Sequence, residues 1–326
     1  MKVVILTIIL ALIPSAGRGP SAQAFTRDRS FFIEEKILLK NLPKNANDLH
    51  IWIPYPVSDN NQSIADFKLE PSLNATLIED EEYGNKILYI GDRRVSVKPN
   101  IEITVSFKVD RKELELPNDI QSAPRPLSRF LKADRSVPVD ESMRELAERI
   151  TKGKGDDLAK VRAIYDYIID ELTYSKDDPK VCGVGDSRLT LKHKKGICSD
   201  YHSLFISLVR SLGIPAKFEI GFPVPRDKAE GEIKGYHCWA KFYMKDKGWI
   251  PVDISEADKH SERRDYFFGH IDENRLHLTT GRDISLKYAK NPGPLNFFVY
   301  PYAELNGSRV DDLDIRVSFK DLKGGV

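Results

Sequence analysis

Gly196-Ile197-Cys198-Ser199-Asp200-Tyr201 opens the most sharply marked helix in the sequence. Tyr201, Leu204, Phe205, Leu208, Val209 and Leu212 recur at the three- and four-residue spacing of one helical face. Gly213 then supplies a C-cap, Arg210 stands in the last turn, and Pro215 lies beyond. Cys198, three residues before Tyr201, belongs to the stripe facing the protein body and sits in the first turn. Unpaired backbone N–H groups and the helix dipole favour an anion there, a recurrent way to lower a cysteine's pKa. Free cysteine is also among the most buried residue types and is more often inert packing. The chemistry of Cys198 therefore depends on the residues downstream of this helix.

Gly235-Tyr236-His237-Cys238-Trp239-Ala240-Lys241-Phe242-Tyr243 reads as a strand, and Gly248-Trp249-Ile250-Pro251-Val252-Asp253 as a second. The turn residues Lys245-Asp246-Lys247-Gly248 between them predict a hairpin. Cys198, His237 and Asp253 then offer a nucleophile, a base and an acid to orient the base. Residues 237 and 253 are symmetric about Lys245, so an odd-length loop centred there sets them face to face. A two-residue turn at Asp246-Lys247 would put them on opposite faces, so the chemistry predicts an odd loop or a bulge using Gly248.

Gly-x-Cys-x-Asp opening an apolar helix, Gly213-Ile214-Pro215-Ala216-Lys217 after it, His237-x-Trp239 on a strand and Gly248-Trp249-x-Pro251-x-Asp253 on the next resemble the transglutaminase-like superfamily. The resemblance covers about Leu158 to Ser255. It implies an α+β, papain-like core in which the helix bearing the cysteine packs on an antiparallel sheet. It also implies a Cys-His-Asp triad with no metal and no organic cofactor. Cys198 would attack a carboxamide carbon as thiolate, and His237 would take the thiol proton and return it to the leaving amine. Asp253 would hold the imidazole tautomer. The backbone N–H of Cys198 would be one oxyanion donor, and Tyr174 is a candidate for the second, equally readable as a buried helix-end tyrosine. Trp239 is expected in the core or as a substrate-pocket wall. Many members carry Ala after the histidine where this chain has Cys238, which strand phase points away from His237 and which reads as packing. Exported bacterial members are similar over the wider chain. They place a β-domain before the core, and their C-terminal extension is like Gly281-Arg282-Asp283-Ile284 and Asn296 to Tyr302.

Other readings of the same residues exist. A zinc site from Cys182, Cys198, His237 and Cys238 lacks any C-x₂₋₄-C or H-x₃₋₅-H pair. A Cys182–Cys198 disulfide would mask the nucleophile in an oxidising compartment. A binding protein could keep the fold without turnover, although Cys, His and Asp are all present. Within the enzyme reading, water resolving the acyl-enzyme gives a peptidase or amidase, and an amine gives a cross-linking transamidase. The triad is common to both, and the resemblance to exported bacterial members favours hydrolysis of a protein or peptide substrate.

Lys2, the apolar run Val3 to Ile13 and Ala22-Gln23-Ala24 predict a signal peptide over residues 1–24 and a chain exported to the periplasm or beyond. The run is too short to span a bilayer core of about 30 Å, so no stable membrane insertion is expected after cleavage. Alternation at Ile101, Ile103, Val105, Phe107 and Val109, with similar short runs about Leu49–Ile53, Ala75–Ile78 and Ile87–Ile90, predicts a small β-sandwich over 25–116. Four prolines mark 117–139 as a linker, with the core and its extension over 140–326. Asp140 is a predicted N-cap, Leu158 to Leu172 a second helix, and 175–195 a polar loop. Pro223–Lys234 reads equally as a substrate-facing loop or a surface connection. The 326 residues carry 50 Lys+Arg against 49 Asp+Glu, a balance that argues against a nucleic-acid partner. Three cysteines exclude a disulfide scaffold. Sequons at Asn61, Asn74 and Asn306 read as chance occurrences.

Overall fold

The computed structural model describes residues 27–43, 48–92, 99–116, 126–290 and 293–322. The expected signal peptide lies outside them, as does the first part of the expected linker. Six strands come first: β1 (Asp28–Leu39), β2 (Leu49–Tyr55), β3 (Gln62–Glu70), β4 (Ala75–Glu79), β5 (Lys86–Asp92) and β6 (Ile101–Lys112). In β6, Ile103, Val105, Phe107 and Val109 are buried while the residues between them are more exposed, the period of a half-buried strand. The turn at Tyr83-Gly84-Asn85 joins β4 to β5 in the register Ala75↔Ile90 to Glu79↔Lys86. There the Asp80 carboxylate accepts from the amides of Tyr83 at 2.8 Å and Asn85 at 2.6 Å.

The helical part follows a short 3-10 turn at Leu127–Leu131. It runs through α1 (Glu141–Ile150), α2 (Asp157–Glu171), β7 (Thr173–Tyr174), α3 (Ser187–His193), β8 (Lys195–Gly196) and α4 (Cys198–Ser211). Next come β9 (Ala216–Pro223), β10 (Glu230–Ile233), β11 (His237–Met244), β12 (Gly248–Val252), α5 (Ile254–Lys259) and β13 (Arg275–Thr280). The chain ends its described course in β14 (Tyr302–Leu305), β15 (Ser308–Arg309) and β16 (Leu313–Asp321). Asp140 caps α1 by accepting from the Met143 amide at 3.1 Å, as predicted.

Two five-stranded sheets, ordered β10-β16-β1-β6-β3 and β15-β14-β2-β5-β4, make the sandwich. Their strands β14, β15 and β16 come from beyond the core sequence, and β10 comes from within it. β16 pairs with β1 from Phe31↔Asp321 to Leu39↔Leu313, and β14 pairs with β2 from Tyr302↔Trp52 to Leu305↔Leu49. The expected boundary at residue 116 is therefore crossed by both sheets. The connection Pro223–Lys234 is neither of the two expected things, since β10 within it adds a strand to the edge of β16. Residues 126–139, inside the expected linker, pack on the core. Phe130 is buried there, and Arg129 and Arg210 converge on Asp134. The expected polar loop 175–195 contains α3, whose N-cap Asp186 accepts from the amides of Arg188 and Leu189. Seven residues are too few to show a helical stripe.

The core sheet is antiparallel, ordered β12-β11-β9-β13, and α4 packs against β11 and β9. The helices α1, α2, α3 and α5 cover the remaining sides of α4, so every residue from Cys198 to Arg210 is buried. The sequence showed only one apolar face because the other sides bury polar groups with partners. Ser207 bonds the Pro138 carbonyl, and Arg210 meets Asp134 at 2.7 Å and the Ala216 carbonyl at 2.9 Å. At the other end Gly213 adopts φ 77°, with bonds from Gly213 N to Arg210 O and from Ile214 N to Val209 O, a Schellman cap. Buried side chains of sandwich and helical part form one continuous core.

Candidate active site

Cys198 is the first residue of α4 and only 3% exposed. Its neighbours fix the helix start. The Asp200 carboxylate folds back to accept from the amide of Ile197 at 2.7 Å, satisfying one orphan donor of the helix end. It also accepts from Gly183 at 2.6 Å and Gly185 at 2.7 Å, which ties the preceding loop to the helix. An added Cβ at Gly196 would stand 2.4 Å from the Asp200 Cβ, so the glycine is what allows this approach. Arg282, almost wholly buried, holds the same loop from the far side by donating to the Gly185 carbonyl at 3.1 Å and to Ser203. Asn296 donates to the Val184 carbonyl at 2.9 Å and receives the Arg282 Nε–H at 3.0 Å. Asp200, Arg282 and Asn296 thus build the surroundings of Cys198, and all three stand in motifs the sequence had marked.

His237 begins β11 and Asp253 is the N-cap of α5, immediately after β12. The hairpin pairs Met244↔Gly248 through Ala240↔Val252, so its loop is Lys245-Asp246-Lys247. It has the odd length expected, with Gly248 at φ 75°, but is centred on Asp246 rather than Lys245. His237 and Asp253 are therefore diagonal neighbours on one face instead of directly opposed. The side chains still meet: His237 Nε2 lies 2.7 Å from Asp253 Oδ2. Asp253 Oδ1 accepts from the Glu256 amide at 3.2 Å, and Arg275 Nη2 stands 3.8 Å from Oδ2. Arg275, which the sequence reading had not picked out, is buried among Asp253, Glu256 and Asp272.

The charges result from these contacts. Burial disfavours a charged carboxylate at Asp253, but the His237 cation with its hydrogen bond, and Arg275, hold it well below the usual range. Burial likewise opposes charge on His237, and the Asp253 carboxylate overrides it, raising the imidazole from 6.5 to about 9. Nε2 is engaged by Asp253, and the nearby Cys198 raises the imidazole further. The Cys198 thiol is held well below its ordinary value, first by a hydrogen bond from Cys238 and then, against burial, by His237. The arrangement favours a thiolate beside an imidazolium backed by a carboxylate.

Cys238 corrects the expectation of inert packing. Strand alternation does turn it away from the Trp239 side of β11, but that other side is the one α4 covers. Its sulfur reaches Cys198, and it lies 3.7 Å from His202 Nδ1. Cys182, Cys198 and Cys238 are all buried free thiols. Among the described residues no group of three or more His, Cys, Asp or Glu side chains is placed to hold a metal ion.

Tyr174 is partly exposed in β7 with Lys259 Nζ 4.7 Å above its ring. Burial and the nearby Cys198 raise its pKa, so it stays a hydroxyl donor near the thiol. Trp239 is fully buried, donates to Glu219 at 2.8 Å and stacks 6.4 Å from the His237 ring. It is a platform behind the histidine and presents no surface to a substrate.

Residues 144–254 match the profile of the transglutaminase-like superfamily. An uncharacterized protein of Haemophilus influenzae is 26% identical over 318 residues, covering 84% of this chain and 85% of that protein. The uncharacterized protein YebA of Bacillus subtilis is 27% identical over 142 residues, 40% of this chain and 19% of that protein. The crystal structure of a candidate cysteine protease of Cytophaga hutchinsonii superposes with a TM-score of 0.60 at 16% identity, covering 92% of this chain and 93% of that one. That likeness extends the shared fold across the sandwich as well as the helical part. The region that carries the Cys–His–Asp cluster is a transglutaminase-like core within an α+β chain.

Proposed function

We propose that the chain is a cysteine enzyme that cleaves peptide or carboxamide bonds, with Cys198, His237 and Asp253 as its catalytic residues. The observation that carries this is the 2.7 Å contact from His237 Nε2 to Asp253 Oδ2, beside Cys198 at a helix start, whose thiol pKa His237 lowers. The Cys198 thiolate attacks the carbonyl carbon, and the C–N bond breaks as His237 delivers its proton to the leaving amine. A thioester joins the acyl group to Cys198. The neutral imidazole then takes a proton from water, whose oxygen attacks the thioester; the C–S bond breaks, releasing a carboxylic acid and restoring the Cys198 thiolate beside the imidazolium. The Cys198 amide, an orphan donor at the helix start, and the Tyr174 hydroxyl are the groups offered to the developing oxyanion.

The site is narrow, with Cys198 3% and His237 6% exposed, which suits an extended chain or a protruding side-chain amide as substrate. Export is part of the same reading and rests on Lys2, the apolar run and Ala22-Gln23-Ala24; N-terminal sequencing of the secreted protein should begin at Phe25. Among the described residues no helix is long and apolar enough to cross a membrane.

The test is incubation with a peptide library, with and without a primary amine, read by mass spectrometry beside Cys198→Ala. Hydrolytic products that vanish in the variant are expected. Amine adducts as the main product would make the enzyme a transamidase. The absence of any product, with Cys198 shown reduced, would make the chain a binding protein.

A further inference from the structure

His202 is fully buried in the first turns of α4, four residues after Cys198 and therefore on the same helical face. Both of its ring nitrogens are engaged. Nδ1 lies 2.7 Å from the Cys198 carbonyl oxygen, and Nε2 accepts the Ile254 amide hydrogen at 3.0 Å. The first bond requires a proton on Nδ1 and the second a lone pair on Nε2, so one neutral tautomer satisfies both. Ile254 comes directly after Asp253, and Asp253 Oδ1 is 3.8 Å from Nε2. The sulfur of Cys238, next to His237, is 3.7 Å from Nδ1. One side chain thus touches the three segments that carry the nucleophile, the base and the acid.

We infer that His202 is a positioning residue that sets the distance between the starts of α4 and α5, and with it the fit of Cys198 to the His237–Asp253 pair. This rests on the catalytic reading above. The Tyr201 hydroxyl ties α4 to Asp258 of α5 at 2.9 Å, but the spacing of Cys198 and Asp253 themselves calls for a rigid link at the two helix starts. A buried imidazole with a bond at each end supplies one. The groups facing it are Cys198 from α4, Asp253 from α5, and His237 and Cys238 from β11, and burial keeps the ring neutral among them. The ring bonds backbone at both ends, so it takes no proton from the substrate and is not itself catalytic.

The experiment compares the full chain with His202→Asn, His202→Gln and His202→Ala, measuring iodoacetamide alkylation of Cys198 against pH, with circular dichroism and thermal melting alongside. Asn can keep a donor near the Cys198 carbonyl and Gln an acceptor near Ile254, whereas Ala keeps neither. Each variant should raise the pH midpoint of alkylation, slowing the reaction at neutral pH by about tenfold in the single-bond variants and more in Ala. Midpoints equal to wild type, with only the melting temperature lowered, would overturn the inference and leave His202 a core residue. If His202→Ala does not fold, Asn and Gln decide. A wild-type midpoint that is not depressed, and is indifferent to His237→Ala, would instead overturn the catalytic reading and the inference with it.

Discussion

Replacing Asp253 by Asn removes the charge behind His237 while changing little else. Asparagine is as good an N-cap as aspartate, so α5 keeps its start and the bond to the Glu256 amide. What goes is the carboxylate that lifts the imidazole from 6.5 to about 9, a difference worth about 3 kcal/mol to the imidazolium. Burial and the Arg275 cation then lower His237 with only Cys198 opposing them, so the ring should titrate well below its wild-type value. The thiolate loses its cation but keeps the hydrogen bond from Cys238, so the full effect is not expected. Alkylation of Cys198 by iodoacetamide at pH 7 should fall by about one to two orders of magnitude, with its pH midpoint moved up. Mass spectrometry at a series of pH values measures this directly, and an NMR titration of His237 checks the intermediate step. A variant that folds, titrates His237 near neutrality or below, and still alkylates with the wild-type midpoint would refute the reasoning. The thiolate would then be held by Cys238 and the helix end alone.

Four further outcomes are expected. Cys238→Ala should raise the Cys198 pKa at little cost in packing, seen as an upward shift of the alkylation midpoint; no shift would remove Cys238 from the site. Turnover needs both the thiolate and the imidazolium, so its rate should fall above pH of about 9, where His237 loses its proton, and again in acid, where the thiolate is protonated. Alkylation needs only the thiolate and should not fall on the alkaline side, so a shared alkaline limb would count against the assignment. Gly196→Ala pushes a Cβ into Asp200 and should cost about 1–3 kcal/mol in urea unfolding while slowing alkylation. Arg210→Met leaves buried Asp134 with Arg129 as its remaining cation, beside the Tyr83 hydroxyl, and should cost about 3 kcal/mol by the same measurement.

That Cys198, His237 and Asp253 come together could be read from the sequence because each sits in a short motif whose spacing fixes its local structure. Cys198 opens a helix with both ends marked, and His237 and Asp253 flank one hairpin. The loop centre was displaced by one residue because Lys245-Asp246-Lys247-Gly248 admits more than one turn, and only pairing decides among them. Cys238 was misjudged for a different reason. Alternation tells which side of β11 a residue takes, but not that α4 lies across that side with Cys198 at its tip. His202 had a legible trace, four residues after the cysteine, which the apolar stripe obscured. Arg275 acts on Asp253 from far along the chain, and no local pattern reports such a contact; Asn296 stands in a marked stretch that does not name the loop it holds. The same holds for the short β14 and β15 and for the nine-residue β16, none of which says which strand it joins.

The pairing of Phe31 with Asp321 places a condition on how this protein comes into being. Synthesis proceeds from the N-terminus, so β1 waits for its second neighbour until almost the whole described chain has been made. During that interval β1 offers an open hydrogen-bonding edge, and β10, whose sandwich partner is also β16, has nothing to add to. Contacts this distant in sequence close slowly, because the entropy of a long loop is lost before the pairing compensates for it. A ribosome-bound or truncated chain ending before Leu313 would therefore hold every member of the Cys–His–Asp cluster and still lack the strand that joins its two ends.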